Sequence, residues 1–208
     1  MLEEARELGF LGPGPVETHL DHAAGFAEVL WRLTAGGGSG AGTSWPARAV
    51  DLGSGAGLPG LPLALWFPES SWVLVESSVR RAAFLRGAVR QLAVEERVEV
   101  AHERAEVVGR SLGRRGRFDL IVARSFGSPA VVAECGAPLL AVGGRAVVSE
   151  PPGGMPSRWP ASGLGRLGMV PEATVSAAGW AYQVVRQRQP CPDRYPRRVG
   201  VPAKRPLF

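Results

Sequence analysis

The segment Asp51-Leu-Gly53-Ser-Gly55-Ala-Gly57-Leu-Pro-Gly60 holds the residue types and spacing best suited to chemistry. Gly55, Gly57 and Gly60 fit G-x-G-x-x-G, and Glu76 lies 19 residues after Gly57. Glycines so spaced let the backbone turn tightly and approach a ligand closely. Two cofactor classes need such a turn. A dinucleotide rests its pyrophosphate on a helix N-terminus, whereas S-adenosylmethionine has no phosphate but carries an ammonium, a sulfonium and a carboxylate. Asp51, two residues before the first glycine, would face a phosphate unfavourably and suits a positively charged cofactor, directly or through water. Glu76 can accept hydrogen bonds from both ribose hydroxyls, charge-assisted in each case. That role is common to both classes, so a nicotinamide-dependent oxidoreductase stays open as the alternative.

Other chemistries are poorly provided for. Cys135 and Cys191 lie far apart with no CxxC partner, and His19, His22 and His102 are scattered, which gives no metal-ligand spacing and no disulfide framework. No Ser/His/Asp or Cys/His constellation is present to activate a nucleophile. Amino-group methyltransferases carry an Asn/Asp-Pro-Pro-aromatic motif after the fourth strand. Here that position reads Ala123-Arg-Ser-Phe126, and Pro151-Pro152 lacks the aromatic and is expected to be a turn.

Regular elements must position these residues. Short apolar strands are expected at 47–51, 72–76, 98–101, 118–123 and 144–148, alternating with helices from 61, over 78–92 and over 130–140. Alternation of this kind predicts an α/β fold, a mostly parallel sheet with helices on both faces whose ligands bind at the carboxyl edge. Residues 170–174 and 181–188 are expected to form a closing hairpin around Gly179 with the last strand antiparallel, as in class I Rossmann-like methyltransferases. A short helix is expected near 158–167. The first 33 residues look helical, broken at Gly12-Pro13-Gly14-Pro15, and 36–42 read as a glycine-rich linker. The expected organisation is therefore an N-terminal helical extension with linker (1–42) and a cofactor-binding domain with a basic tail (43–208).

The 208 residues carry a net charge of +5, and 45% are hydrophobic. No apolar run approaches the ~20 residues of a membrane span. Glu3, Glu4 and Glu7 stand where a secretion signal would be basic and apolar, so a cytoplasmic protein is expected. Charge is uneven. From residue 186 onward Arg186, Arg188, Arg194, Arg197, Arg198, Lys204 and Arg205 face only Asp193, an asymmetry that suggests a polyanionic partner. Four prolines, at 192, 196, 202 and 206, are expected to keep this tail extended. It would present Arg197, Arg198, Lys204 and Arg205 to phosphates, leave Tyr195 free to stack on a base, and stay independent of the cofactor.

The run from Asp51 through Leu-Pro-Gly-Leu-Pro-Leu-Ala64 resembles the cofactor motif of the bacterial 16S ribosomal RNA guanine-N7 methyltransferases, also called glucose-inhibited division protein B. The resemblance continues in Leu74-Val-Glu76, Arg80-Arg-Ala-Ala-Phe-Leu85, Arg104-Ala-Glu106, the stretch from Phe118 to Arg124-Ser-Phe126, and Tyr195-Pro-Arg-Arg-Val-Gly-Val-Pro-Ala-Lys-Arg-Pro-Leu207. It implies S-adenosylmethionine as cofactor, with contacts at Gly53, Leu58, Ala105, Glu106 and Arg124 and with Glu76 on the ribose. Asp51 and Gly55 complete the expected cofactor set. Arg124, at the mouth of the site, is the catalytic candidate. The implied partner is 16S ribosomal RNA or the small ribosomal subunit, with no membrane and no metal. Guanine N7 has a lone pair and no proton to lose, so positioning should dominate over general-base catalysis. The chain departs from the family before Val50, where Thr18-His19-Leu-Asp21-His22 only echoes a His-x-x-Asp-Ser element. It departs again after the fifth strand, where Ser149-Glu150-Pro151-Pro152 replaces Lys-Gly. These departures motivate the other alternative, a non-catalytic ribosome-associated paralogue that keeps the pocket.

Overall fold

A computed structural model describes residues 1–35 and 46–208; the expected linker at 36–42 and the expected boundary at 42/43 lie outside the described residues. Two helices come first, α1 (Leu2–Glu7) and α2 (Val16–Ala35), separated by the Gly-Pro-Gly-Pro break. Strand–helix alternation then runs β1 (Arg48–Leu52), α3 (Gly60–Trp66), β2 (Ser71–Val75), α4 (Val79–Gln91), β3 (Val98–Ala101), α5 (Ala105–Val108), β4 (Phe118–Ala123), α6 (Pro129–Gly136) and β5 (Leu140–Glu150). A 3-10 turn (Pro156–Arg158), α7 (Ala161–Gly165), the hairpin strands β6 (Met169–Ala177) and β7 (Trp180–Gln187), and α8 (Val201–Lys204) complete the chain.

The seven strands form one sheet in the order β3-β2-β1-β4-β5-β7-β6. Only β7 runs against the rest, antiparallel to both β5 and β6. The hairpin turns through Ala178 and Gly179, both in the left-handed region (φ 47° and 80°), the pair of positive φ values that a tight two-residue hairpin requires. Local chemistry sets the helix bounds. Ser78 caps α4 by accepting from Arg81 N. α6 stops at Gly136, short of the expected 140, because Pro138 has no N–H with which to continue it. β5 is longer than expected at both ends, and its register with β4 shifts between Phe118 and Leu120, opposite the Gly143-Gly144 pair.

Strand parity divides the core. Val50, Leu52, Val73, Val75, Ile121 and Val148 face α5, α6 and α7 in one apolar cluster. Ala49, Trp72, Leu74, Leu120, Val122 and Val147 face α2, α3 and α4 in the other. α2 is thus an integral layer of the fold rather than an appendage, since Phe26, Val29 and Leu30 are fully buried in that second cluster. No helix among the described residues is long and apolar enough to cross a membrane.

Candidate functional site

At the carboxyl edge of the sheet the chain leaves β1 through the glycine turn. Gly53, Gly55 and Gly57 all have positive φ (71°, 56° and 88°). Gly53 N and Ser54 N both donate to Val75 O, which binds the turn to the end of β2. Gly60 serves close packing instead. A Cβ there would lie 2.6 Å from Asp51 Oδ2 and 2.6 Å from Leu74 Cδ2. With no Cβ, Gly60 N donates to Asp51 Oδ2 at 3.0 Å and draws the start of α3 onto β1.

Asp51 is fully buried, and its Oδ1 has no partner among the described residues. Burial raises its pKa to about 7; the Gly60 and Ser54 hydrogen bonds and the charge of Arg124 pull it down, and Glu76 pushes it up. Glu76 is equally constrained. Its Oε2 accepts from Gly55 N at 3.0 Å and its Oε1 from Ser78 N at 2.8 Å, so one carboxylate ties the glycine turn to the head of α4.

A cleft of about 260 Å³ opens beside this turn. Of the expected cofactor residues, Gly53, Glu76, Ala105 and Glu106 line it. Asp51, Gly55, Leu58 and Arg124 do not. Asp51 lies beneath the turn on the α3 face, Gly55 acts through its amide, and Leu58 is buried. Parity explains Arg124: Val122 pairs with Asp51 in register and shares its face, and Arg124 is two residues further on. It is half-buried, with its pKa lowered by burial and supported by Asp51 and then Tyr182. No carboxylate lies within ion-pair distance of Arg124 among the described residues. The catalytic candidate therefore stands behind the turn rather than in the cleft.

Sequence reasoning had not singled out the opposite wall, Ser125 and Phe126. Ser125 adopts a left-handed backbone (φ 55°), a conformation costing roughly 1–2 kcal/mol outside glycine. The Phe126 ring occupies the space over Gly53, where a Cβ would meet it at 2.7 Å. Cys135 also lines the cleft, its thiol pushed well above the ordinary range by burial and by Glu106 and Glu134, so it is no nucleophile at neutral pH.

Ser125 and Phe126 are shared with a second cleft of about 350 Å³. His22 of α2, Trp180 of β7, Glu150, Arg158 and Trp159 contribute to it. His22 stacks on Trp180 with ring centres 4.3 Å apart and an interplanar angle of 14°. Burial, then the charges of Arg124 and His19, lower its pKa to about 4, and it is neutral at pH 7. The sequence signals that fall here are the His19–His22 echo and the Ser149-Glu150-Pro151-Pro152 run, both noted only as departures from the family.

The tail corrects its expectation. Arg197, expected on RNA, makes a two-pronged ion pair with Glu134, a carboxylate with no exposed surface, and its backbone N–H donates to the same group. Tyr195 is buried rather than free to stack. Arg115 donates to the carbonyls of Cys191, Pro192 and Tyr195 and holds the segment down. The prolines do not keep the tail extended throughout, because Pro202 lies in the first turn of α8. Nor is the tail independent of the cleft: Gly200 N donates to Glu106 Oε1 at 2.9 Å and Ala203 lines the wall. Burial resists ionisation of Glu106, but that hydrogen bond, its own backbone and Arg104 hold its pKa below the ordinary value. Arg198, Lys204 and Arg205 are exposed.

Comparison with known proteins agrees with this geometry. Residues 38–150 match the family model described as rRNA small subunit methyltransferase G. The chain is 40% identical over 172 residues to the ribosomal RNA small subunit methyltransferase G of Rubrobacter xylanophilus, a match covering 77% of this chain and 65% of that protein. It is 39% identical over 176 residues to the protein of that name from Roseiflexus castenholzii, covering 79% and 74%. Among solved structures, a Klebsiella pneumoniae protein described as an O-methyltransferase superposes with a TM-score of 0.60 at 15% identity, covering 90% of this chain and 88% of that one. P. horikoshii TYW2, solved with MeSAdo, gives 0.54 at 16% identity, covering 67% and 56%. These two likenesses establish the class I methyltransferase fold and no more. With the glycine turn, Glu76 and the Ala105-Glu106 pair inside the matched segment, the chain belongs to the rRNA small subunit methyltransferase G family.

Proposed function

We propose that this chain methylates N7 of a guanine in 16S ribosomal RNA with S-adenosylmethionine as donor, acting on the small ribosomal subunit or its RNA in the cytoplasm. One observation carries the reading: Gly53, Glu76, Ala105 and Glu106, drawn from three separate chain segments, converge on one cleft. The residues fit the cofactor. Each Glu76 oxygen spends one lone pair on a backbone amide and keeps another for a ribose hydroxyl. Gly53 leaves backbone within reach of the cleft, and Ala105 and Glu106, at the head of α5, border the position expected for adenine. When bound, S-adenosylmethionine supplies a sulfonium methyl, whose S–C electron pair stays on sulfur as the N7 lone pair forms the new N–C bond.

That chemistry needs no proton removed, so the carboxylates around the turn are not called on as bases. Asp51 is committed to Gly60, Glu76 to two amides and Glu106 to Gly200. What these residues provide is a fixed frame, so the rate gain is one of approach and alignment. Arg124 acts as a positioning residue, supporting the turn from behind through the charge of Asp51. Arg198, Lys204 and Arg205 hold phosphates at the rim.

Calorimetry with S-adenosylmethionine and NADH, followed by methyl transfer to small subunits that lack the modification, tests the proposal. The expected product is N7-methylguanine, read by reduction, aniline cleavage and primer extension. Tighter binding of NADH, or a methyl group on any atom other than guanine N7, overturns it.

A further inference from the structure

We propose that the second cleft receives the target base and that Glu150 selects guanine by accepting from its N1–H and exocyclic N2–H. This inference rests on the methyl transfer proposed above.

The two clefts share Ser125 and Phe126, so a base seated in the second would lie beside a methyl donor held in the first. The second cleft is built for a flat, mostly uncharged ring. Trp180, backed by the stacked and neutral His22, forms one surface, and Phe126, Pro151 and Pro152 form others. Aromatic faces of this kind bind bases without regard to identity, so identity has to be read at an edge.

Glu150 lines the second cleft and not the first, and its side chain is only 2% exposed. It ends β5, which runs two residues past the last β4 partner of that strand. Its Oε1 accepts from Trp159 Nε1 at 3.0 Å, and its Oε2 is paired with Arg158. A carboxylate held in an ion pair can only accept, and each oxygen keeps a further lone pair. Among the four RNA bases, guanine alone presents two adjacent N–H donors on its Watson–Crick edge. Adenine and cytosine would set a ring-nitrogen lone pair against the carboxylate, and uracil offers one N–H flanked by carbonyls. Guanine N7 lies on the opposite edge of the purine, so a base gripped at N1 and N2 turns N7 away from Glu150. The Pro151-Pro152 pair acquires a role that neither the glycine turn nor the tail explains: it closes the cleft as an apolar turn, fixed by Gly154 N donating to Pro151 O.

The test is nucleotide binding to the full chain saturated with S-adenosylhomocysteine, using guanosine, inosine and adenosine monophosphates. Inosine lacks only the N2 amino group. Loss of one hydrogen bond to a charged group predicts about 10- to 150-fold weaker binding of inosine than guanosine monophosphate to the unaltered protein. Glu150→Gln should bring guanosine down to the inosine level, with S-adenosylmethionine affinity and melting temperature showing that the variant is folded. Equal binding of guanosine and inosine by the unaltered protein, selectivity that survives in Glu150→Gln, or no binding of any nucleotide at millimolar concentration overturns the proposal. The unaltered protein decides the matter even if the variant fails to fold. None of these measurements needs turnover, so guanine selectivity without methyl transfer would sink the proposed activity and spare the pocket. Transfer to guanine N7 with no such selectivity would do the reverse.

Discussion

Glu76 joins two amides that would otherwise be free, Gly55 N and Ser78 N, and still faces the first cleft. Glu76→Ala should therefore weaken S-adenosylmethionine binding by about 10- to 150-fold and also lower the melting temperature of the ligand-free protein. Calorimetry beside a thermal melt checks both, and normal cofactor binding in the variant would refute the assignment. Asp51 and His22 make a paired forecast for pH. Asp51 has its pKa raised from 3.8 to about 7, so the stability it contributes is complete below pH about 4 and is lost as pH rises through 7. His22 has its pKa lowered from 6.5 to about 4, so its contribution is present above pH 6.5 and is lost as pH falls toward 4. Between pH 4 and 6.5 the two slopes oppose. Asp51→Asn should remove the falling one and leave stability rising with pH over that range, read from urea unfolding at stepped pH. A variant profile that parallels the unaltered protein would show that Asp51 is already ionised in the fold. Neither effect was legible in the sequence. The acid before the glycines was evident, but its burial against Gly60 depends on α3 folding back over β1.

The elements of the central sheet were legible because each strand announces itself within five or six residues; β3 and β4 fall where expected, at 98–101 and 118–123. The tail was not legible, because what holds it lies 63 residues away in Glu134 and about 77 away in Arg115. A run of arginines and prolines looks the same to a local pattern whether it reaches into solvent or docks. Its docking changes which variants are informative. Arg197→Ala would strand the buried Glu134 carboxylate, a loss of about 3–5 kcal/mol for a fully buried pair and less here, since the Arg197 side chain is 28% exposed. Urea unfolding should show this loss, whereas a cost below about 0.5 kcal/mol would mean that water replaces the pair. Arg198, Lys204 and Arg205 are the residues to neutralise for RNA. Each single-strand phosphate contact contributes about 0.7 to the log–log salt slope, so the triple alanine variant should flatten it by up to about 2. An unchanged slope would place the RNA surface elsewhere.

For the whole molecule, the first cleft gathers β1, β2, α5, the β4–α6 connection and the tail, so a ligand there should stabilise the fold globally rather than one loop. Binding to the folded chain alone adds about 2.7 kcal/mol at a hundredfold excess over Kd. S-adenosylhomocysteine should accordingly raise the melting temperature as a single cooperative transition, in a scanning-calorimetry trace. Two separated transitions would show that the tail and the central sheet melt independently.

The packing of α2 imposes an order in time. Its Phe26 and Leu30 are buried in a cluster completed by Ala177, Tyr182 and Val184, and Glu28 accepts from Ala178 N, 150 residues further along the chain. At about 5–20 residues per second, a ribosome needs roughly 8–30 s to make that distance. Through that interval the nascent α2 has only part of its apolar face covered, by α3. A chaperone that recognises apolar helices should therefore crosslink to α2 on stalled chains ending near residue 150 and release it once the β6–β7 hairpin has emerged.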